Sequence, residues 1–177
     1  MFERGFIHIY FGTGKGKTTA ALGLAIRAAG CGKKVIVVQF LKDWNCGEIE
    51  SLSRLENITI IKSSPFGGKF VFDMTDDEKL ALKANQDECL RKALDMQLNG
   101  LCDLLVLDES VDAYQLGVLD KIVFEDLLRN KPDALELVIT GHKPETWMLE
   151  NADYTTEMVK HKHPFDDGIN ARRGIEF

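Results

Sequence analysis

The chain has 177 residues, of which 45% are hydrophobic and 28% are charged, a balance that excludes disordered, collagen-like and fibrous proteins. Its length predicts one domain over residues 1–177. The net charge of −6 argues against a nonspecific nucleic-acid-binding protein, and an anionic ligand would need a locally positive site.

Two further features bear on location. No apolar run approaches the roughly 18–20 residues needed to cross a bilayer, and the N-terminus lacks the apolar segment of a secretory signal. The cysteines are widely spaced and form no CxxC pair, which predicts reduced thiols in a cytoplasmic protein rather than a zinc site. They are Cys31, Cys46, Cys89 and Cys102.

Five short apolar runs predict buried strands. They cover residues 6–11, 35–38, 58–61, 104–107 and 135–139. Because these runs are largely apolar throughout rather than alternating, they are typical of strands that are covered on both faces of a parallel sheet. Helical patterns separate them, which predicts an α/β three-layer sandwich with a mostly parallel sheet.

The first helical pattern follows a glycine-rich segment. Leu22, Ala25, Ile26 and Ala29 are spaced to share one face, and Gly30 is predicted to occupy the position just after the helix. Most of these side chains are small, so the helix is expected to lie close against the sheet.

Later helices are predicted from their ends. Thr75 and Glu78 have the spacing of a capping box that opens a long helix, Asp120 is a candidate N-cap, and Pro144 is predicted at the first position of a short helix. Residues 62–74 combine turn formers with three phenylalanines, and a loop of this length is often functional.

The glycine-rich segment carries the clearest chemical signal. It lies between the first predicted strand and helix and reads Gly12-Thr13-Gly14-Lys15-Gly16-Lys17-Thr18-Thr19. Its end matches the P-loop pattern, although the first glycine of that pattern is expected at position 11, where the chain has Phe11. Backbone N–H groups and the helix N-terminus favour phosphate, Lys15 and Lys17 add charge, and the Thr18 hydroxyl can bind Mg²⁺. The segment therefore predicts a phosphate site in a P-loop NTPase-like (RecA-like) fold.

Two other strand ends are expected beside this loop. Asp108 and Glu109 follow the fourth apolar run, the placement of acidic groups that hold or orient a metal ion near the phosphates. His142 follows the fifth run, and the sequence leaves open whether it contacts phosphate or faces solvent.

Several segments together resemble the P-loop type of ATP:corrinoid adenosyltransferases, in the order of that family and over nearly the whole chain. They are residues 12–21 (GTGKGKTTAA), 38–40 (VQF), 105–109 (LVLDE), 137–141 (LVITG), 152–153 (AD), 156–158 (TEM), 162–169 (KHPFDDGI) and 174–177 (GIEF).

The resemblance implies transfer of the 5′-deoxyadenosyl group of ATP to Co(I) of a corrinoid, with release of triphosphate. It implies that residues 12–19 and His142 bind the nucleotide, that Thr18, Asp108 and Glu109 hold Mg²⁺ or Mn²⁺, and that Lys17 and Glu109 act in catalysis. It also implies a homodimer and a flavoprotein reductase that supplies electrons for Co(II).

The resemblance further assigns Phe70 and Phe72 to an aromatic pair over the corrin, where they would displace the lower axial cobalt ligand. Some relatives have tryptophan where this chain has Phe72, and the family's Thr-Gly-Arg ends in His142 here. The alternative for the pair is an anchor for a long loop.

Two other functions stay open from the residues. One is a P-loop ATPase or small-molecule kinase, which would cleave at phosphorus. The other is a catalytically silent protein that binds a nucleotide or a corrinoid.

Overall fold

A computed structural model describes residues 2–42, 46–64 and 66–176. Pro65 of the segment 62–74 and Phe177 of the C-terminal motif lie outside the described residues.

Within these described residues, six parallel strands form one sheet, in the order β3-β2-β4-β5-β1-β6. Five of them confirm the predicted runs. The edge strand β6 was not predicted, because its four residues are exposed and contain no apolar run. The strands are β1 Ile7–Phe11, β2 Val35–Gln39, β3 Ile58–Lys62, β4 Leu104–Asp108, β5 Glu136–Gly141 and β6 Tyr154–Glu157.

Helices cover both faces of the sheet. They are α1 Lys17–Gly30, α2 Gly47–Leu52, α3 Asp76–Leu98, α4 Ser110–Gln115, α5 Lys121–Arg129 and α6 Thr146–Glu150, with 3-10 turns at Val71–Asp73 and Pro164–Asp167. In the described part of the segment 62–74, Lys62 is the last residue of β3 and Val71–Asp73 form a 3-10 turn.

Two cores give the fold its three layers. On one face, Ala25 of α1 packs in a cluster with Val37 and Val106. On the other face, Leu90 of α3 and Phe124 of α5 belong to a larger cluster that includes alternate residues of the same strands. The predicted α/β three-layer sandwich with a parallel sheet is confirmed.

The observed helix ends agree only in part with those predicted from the sequence. The Thr75–Glu78 capping box is present in both directions. Gly30, however, is the last residue of α1, and the left-handed position that ends the helix belongs to Gly32, with φ +75°. Pro144 was also misplaced, because α6 begins two residues later and Glu145 is its N-cap.

Within the described part of the chain, no helix has both the length and the apolar composition needed to cross a membrane. The four cysteines are free thiols there, and three of them are buried.

Strand register places a row of polar residues at the carboxyl edge of the sheet. Gln39 lies opposite Asp108, and Thr140 lies opposite Tyr10. Two residues earlier, Val37 and Val106 belong to the core under α1. Because side chains alternate along a strand, Gln39 and Asp108 face α1 as well, at the edge where the glycine-rich loop begins.

Candidate functional site

The glycine-rich loop is shaped by its contact with the chain after β6. The N–H of Gly14 donates to the carbonyl of Met158 at 2.6 Å. A Cβ at Gly12 or Gly14 would lie 2.5 or 2.7 Å from the same carbonyl oxygen, and Gly12 also has φ +109°. Glycine is therefore required at both positions for the loop to pack against this segment.

Lys17 points back into the loop that precedes it. Its Nζ donates to the carbonyls of Gly12 and Gly14 at 2.9 and 3.1 Å. Since Lys17 is also the first residue of α1, its ammonium adds to the positive end of the helix. The loop thus offers a compact cationic site for phosphate.

The fully buried carboxylate of Asp108 is the centre of a polar cluster. Its Oδ1 accepts from the Thr18 hydroxyl at 2.9 Å and from the Thr140 hydroxyl at 2.8 Å. Its Oδ2 accepts from Lys42 Nζ at 2.6 Å. Burial acts to lower the pKa of Lys42, but the adjacent Asp108 outweighs it and the pKa is raised, so the ammonium stays charged.

Sequence reasoning did not identify Lys42. The available signal was its position, because it lies three residues after the end of β2, the strand that pairs with β4. A lysine there can reach a carboxylate at the end of the neighbouring strand.

Glu109 turns away from this cluster. It has a left-handed backbone, φ +62°, and its N–H donates to Thr140 Oγ1 at 2.8 Å. Its carboxyl group lies with Asp112 and His142, whose potential ligand atoms are all within 4.8 Å of one another. Burial, together with Asp108, raises the pKa of Glu109 to about 7.

His142 is held by Asp112. Its Nδ1 and the Asp112 Oδ2 are 3.0 Å apart, and this hydrogen bond raises the pKa of His142. Asp112 was not a predicted site residue. Gly141 makes room for it, since a Cβ there would lie 2.9 Å from Asp112 Oδ2 and 2.5 Å from Val111 Cβ.

The raised pKa of Glu109 has a consequence for stability. Between about pH 4.5 and 7 the unfolded chain releases the Glu109 proton while the folded chain keeps it, so stability falls as pH rises through this window. The expected loss is on the order of 1–3 kcal/mol. Glu109→Gln should abolish this loss of stability. A smaller loss should remain above pH 6.5, because the pKa of His142 is also raised and its contribution to stability likewise falls as pH rises.

Thermal unfolding from pH 5 to pH 8 measures this effect. The control is Glu88→Gln, at an exposed position of α3, which should follow the wild type. Parallel curves for Glu109→Gln and the wild type would show that Glu109 does not titrate as described.

A cavity of about 740 Å³ adjoins these groups. Lys17, Thr18, Lys42, Glu109 and His142 line its polar side. Its other walls come from α1, α2 and the C-terminal segment, through Leu22, Gly23, Ile26, Gly47, Glu48, Ser51, Gly174, Ile175 and Glu176.

Ile26 of α1 and Lys15 of the glycine-rich loop do not make the contacts that the sequence predicted for them. Ile26 was assigned to the buried face of α1, but it is 51% exposed and lines the cavity. Lys15 Nζ donates to the carbonyl of Ile175 at 3.0 Å and to Glu176 Oε1 at 3.1 Å, so it binds the C-terminal segment.

Phe70 and Phe72 lie apart from this cavity. Neither lines it, and both are mostly exposed, at 66% and 74%. Their rings stack at 5.2 Å between centroids, with 6° between planes. The structure therefore brings loop residues 15–19, Glu109 and His142 to one cavity, with the buried Asp108 hydrogen-bonded to Thr18, and places the aromatic pair elsewhere.

Comparison with known proteins decides the family. The model of the ATP:corrinoid adenosyltransferase BtuR/CobO/CobP family matches residues 3–177. The chain belongs to this family. Curated corrinoid adenosyltransferases of Escherichia coli K12 and Salmonella typhimurium are each 35% identical to it, over 99% of this chain and 87% of theirs. That of Pseudomonas aeruginosa is 33% identical, over 99% of this chain and 85% of its own.

Family membership bears on the competing functions. The match runs through the loop, the Asp108–Glu109 pair and the C-terminal segment, and not through the phosphate loop alone. It favours the adenosyltransferase over the ATPase, kinase and silent-protein alternatives.

Proposed function

We propose that this chain transfers the 5′-deoxyadenosyl group of ATP to Co(I) of a corrinoid. The cobalt electron pair forms a bond to C5′, the C5′–O bond breaks, and inorganic triphosphate leaves with that bond's electron pair. The observation that carries the proposal is the phosphate loop beside the Thr18–Asp108 pair, in a chain that matches the family model from residue 3 to residue 177.

The loop residues 12–19 would bind the triphosphate and stabilise the charge that grows on it. Lys17 contributes through the ammonium that the loop carbonyls already hold in place. Lys15 would join after exchanging its contacts with Ile175 and Glu176 for phosphate oxygens. No protein nucleophile is needed, since the reduced cobalt attacks directly.

The residues present fit a divalent cation. Hydroxyl and carboxylate oxygens are ligands that Mg²⁺ prefers, and Thr18 and Asp108 already share one cationic neighbour, the ammonium of Lys42. We propose that these two residues hold Mg²⁺ or Mn²⁺, with Glu109 as the further acidic group. When bound, the cation neutralises charge on the triphosphate.

Phe70 and Phe72 are proposed to contact the corrin, because two stacked and exposed aromatic rings form an apolar surface that a macrocycle can cover. In this role they would displace the lower axial ligand of Co(II). His142 would face the phosphates from the cavity wall while its ring stays hydrogen-bonded to Asp112, which raises the pKa of the imidazole.

Phe72→Ala is expected to slow adenosylation at least about 10-fold when the corrinoid enters as Co(II) with a reductant, since losing ligand displacement makes reduction harder. The same variant should keep near-wild-type rates with chemically prepared Co(I). Ile122→Ala, at an 82% exposed position on α5, is the control for loss of a surface apolar group. Equal losses in both assays would exclude the ligand-displacement role.

We further propose that residues 1–177 act as one domain, as a homodimer in the cytoplasm, and that a flavoprotein reductase supplies electrons to the cobalt.

Anaerobic incubation with MgATP and Co(I)-corrinoid tests the proposed reaction. The adenosyl–cobalt absorption spectrum and inorganic triphosphate should appear in equal amounts. Release of ADP and orthophosphate with no cobalt–carbon bond would instead indicate an ATPase, and bound ATP with no product would indicate a silent binding protein.

A further inference from the structure

The contact between Lys42 and Asp108 occupies the place proposed for the metal ion. Lys42 Nζ lies 2.6 Å from Asp108 Oδ2 and 3.3 Å from Thr18 Oγ1. The Lys42 side chain is only 12% exposed, and that of Asp108 is completely buried. Little water can therefore replace either partner if the ion pair opens.

An ammonium and a divalent cation compete for these oxygens. Mg²⁺ binds oxygen at about 2.0–2.1 Å, and a second cation 2.6 Å from the same carboxylate would be repelled strongly in this buried position. Lys42 must therefore leave Asp108 before a metal ion can bind there, and its ammonium then needs another anionic partner.

The cavity offers one place for such a partner. Lys42 lines the same cavity wall as Lys17 and Thr18, where the triphosphate is proposed to bind. We infer that Lys42 is a positioning residue that closes the Thr18–Asp108 site to free divalent cations and opens it only when the metal arrives with a triphosphate. This inference rests on the proposed metal site.

Gln39 supplies a second, independent observation. It lies opposite Asp108 in the sheet, on the same face, and is fully buried. Among the described residues, neither its amide nitrogen nor its amide oxygen has a hydrogen-bond partner. Buried polar groups are rarely left in this state, so the amide indicates that a further polar group, such as a hydrated cation or a phosphate oxygen, joins the cluster.

Mn²⁺ binding without nucleotide tests the inference. Mn²⁺ is titrated into each protein, and electron paramagnetic resonance measures the Mn²⁺ that stays free. The proteins are the wild type, Lys42→Met, Lys42→Gln and the control Lys92→Met, whose substitution lies at an exposed position of α3. Both Lys42 variants should bind one Mn²⁺ at least 10-fold more tightly than the wild type and the control. Adding Asp108→Asn to Lys42→Met should remove the gain, which assigns the ion to Asp108.

Unfolding temperatures provide a second readout. Mg²⁺ alone should raise the Tm of Lys42→Met and leave that of the wild type nearly unchanged. Three results would each overturn the inference. The wild type and both Lys42 variants could bind Mn²⁺ with equal affinity, or the gain in affinity of Lys42→Met could persist when Asp108→Asn is added. The third is that the wild type already binds Mn²⁺ tightly and Asp108→Asn abolishes this binding. These measurements need no corrinoid, so failure of adenosyl transfer alone would leave their outcome unaffected.

Discussion

Lys17→Ala is expected to lower kcat/KM for ATP by about 100-fold or more, whichever corrinoid is the acceptor. The variant removes the ammonium that donates to the carbonyls of Gly12 and Gly14, at the positive end of α1. The proposed triphosphate site then loses one of the cations that would stabilise the departing charge. Anaerobic initial rates over a range of ATP concentrations measure the effect.

The matched control for this variant is Lys92→Ala, which removes the same charge from an exposed position of α3. It should keep the wild-type rate. A Lys17→Ala protein that retains a third of the wild-type kcat/KM would show that the loop binds the nucleotide without help from this lysine.

Asp108→Asn is expected to reduce both stability and activity. The carboxylate accepts from two hydroxyls and one ammonium in a fully buried position, and the neutral amide leaves the Lys42 ammonium without its counter-charge. Breaking a buried ion pair on one side costs about 3 kcal/mol or more, which corresponds to a fall in Tm of about 6–12 °C. Loss of the proposed metal ligand should lower the adenosylation rate about 100-fold.

The double variant Lys42→Met/Asp108→Asn separates the two effects. Removing the unpaired ammonium should restore much of the lost Tm, while the rate should stay low because the metal ligand is still missing. Recovery of the rate together with the Tm would mean that Asp108 has only a structural role. Asp95→Asn, at an exposed position of α3, serves as the surface control.

The sequence predicted the parallel sheet well because burial determines its composition. Strands β2 and β4 are buried at every position, and all but the last residue of each are apolar, so they contain short uninterrupted apolar runs. The edge strand β6 has no such signal, since all four of its residues are exposed and parallel pairing with β1 alone defines it. Helix ends depend on single backbone angles, which explains why Gly32 rather than Gly30 ends α1.

The sequence predicted those residues of the site that belong to a short local motif. The loop residues 12–19 and the Asp108–Glu109 pair stand in short, recognisable patterns. Lys42 and Glu176 line the cavity, and Asp112 holds His142 there. These residues act through contacts far along the chain, such as Lys42 with Asp108 and Glu176 with Lys15. Such contacts depend on which strand ends meet at one edge of the sheet, and the order β2-β4-β5-β1 cannot be read from the apolar runs alone.

The fate of the oxygen that bridges C5′ and the α-phosphorus tests the proposed reaction most directly. ATP labelled with ¹⁸O at this position is incubated anaerobically with the enzyme, Mg²⁺ and Co(I)-corrinoid. The products are separated, and the ¹⁸O content of each is measured by mass spectrometry. Attack at C5′ predicts that all of the label appears in inorganic triphosphate. Label that stays attached to the nucleoside would show cleavage at phosphorus and would contradict adenosyl transfer.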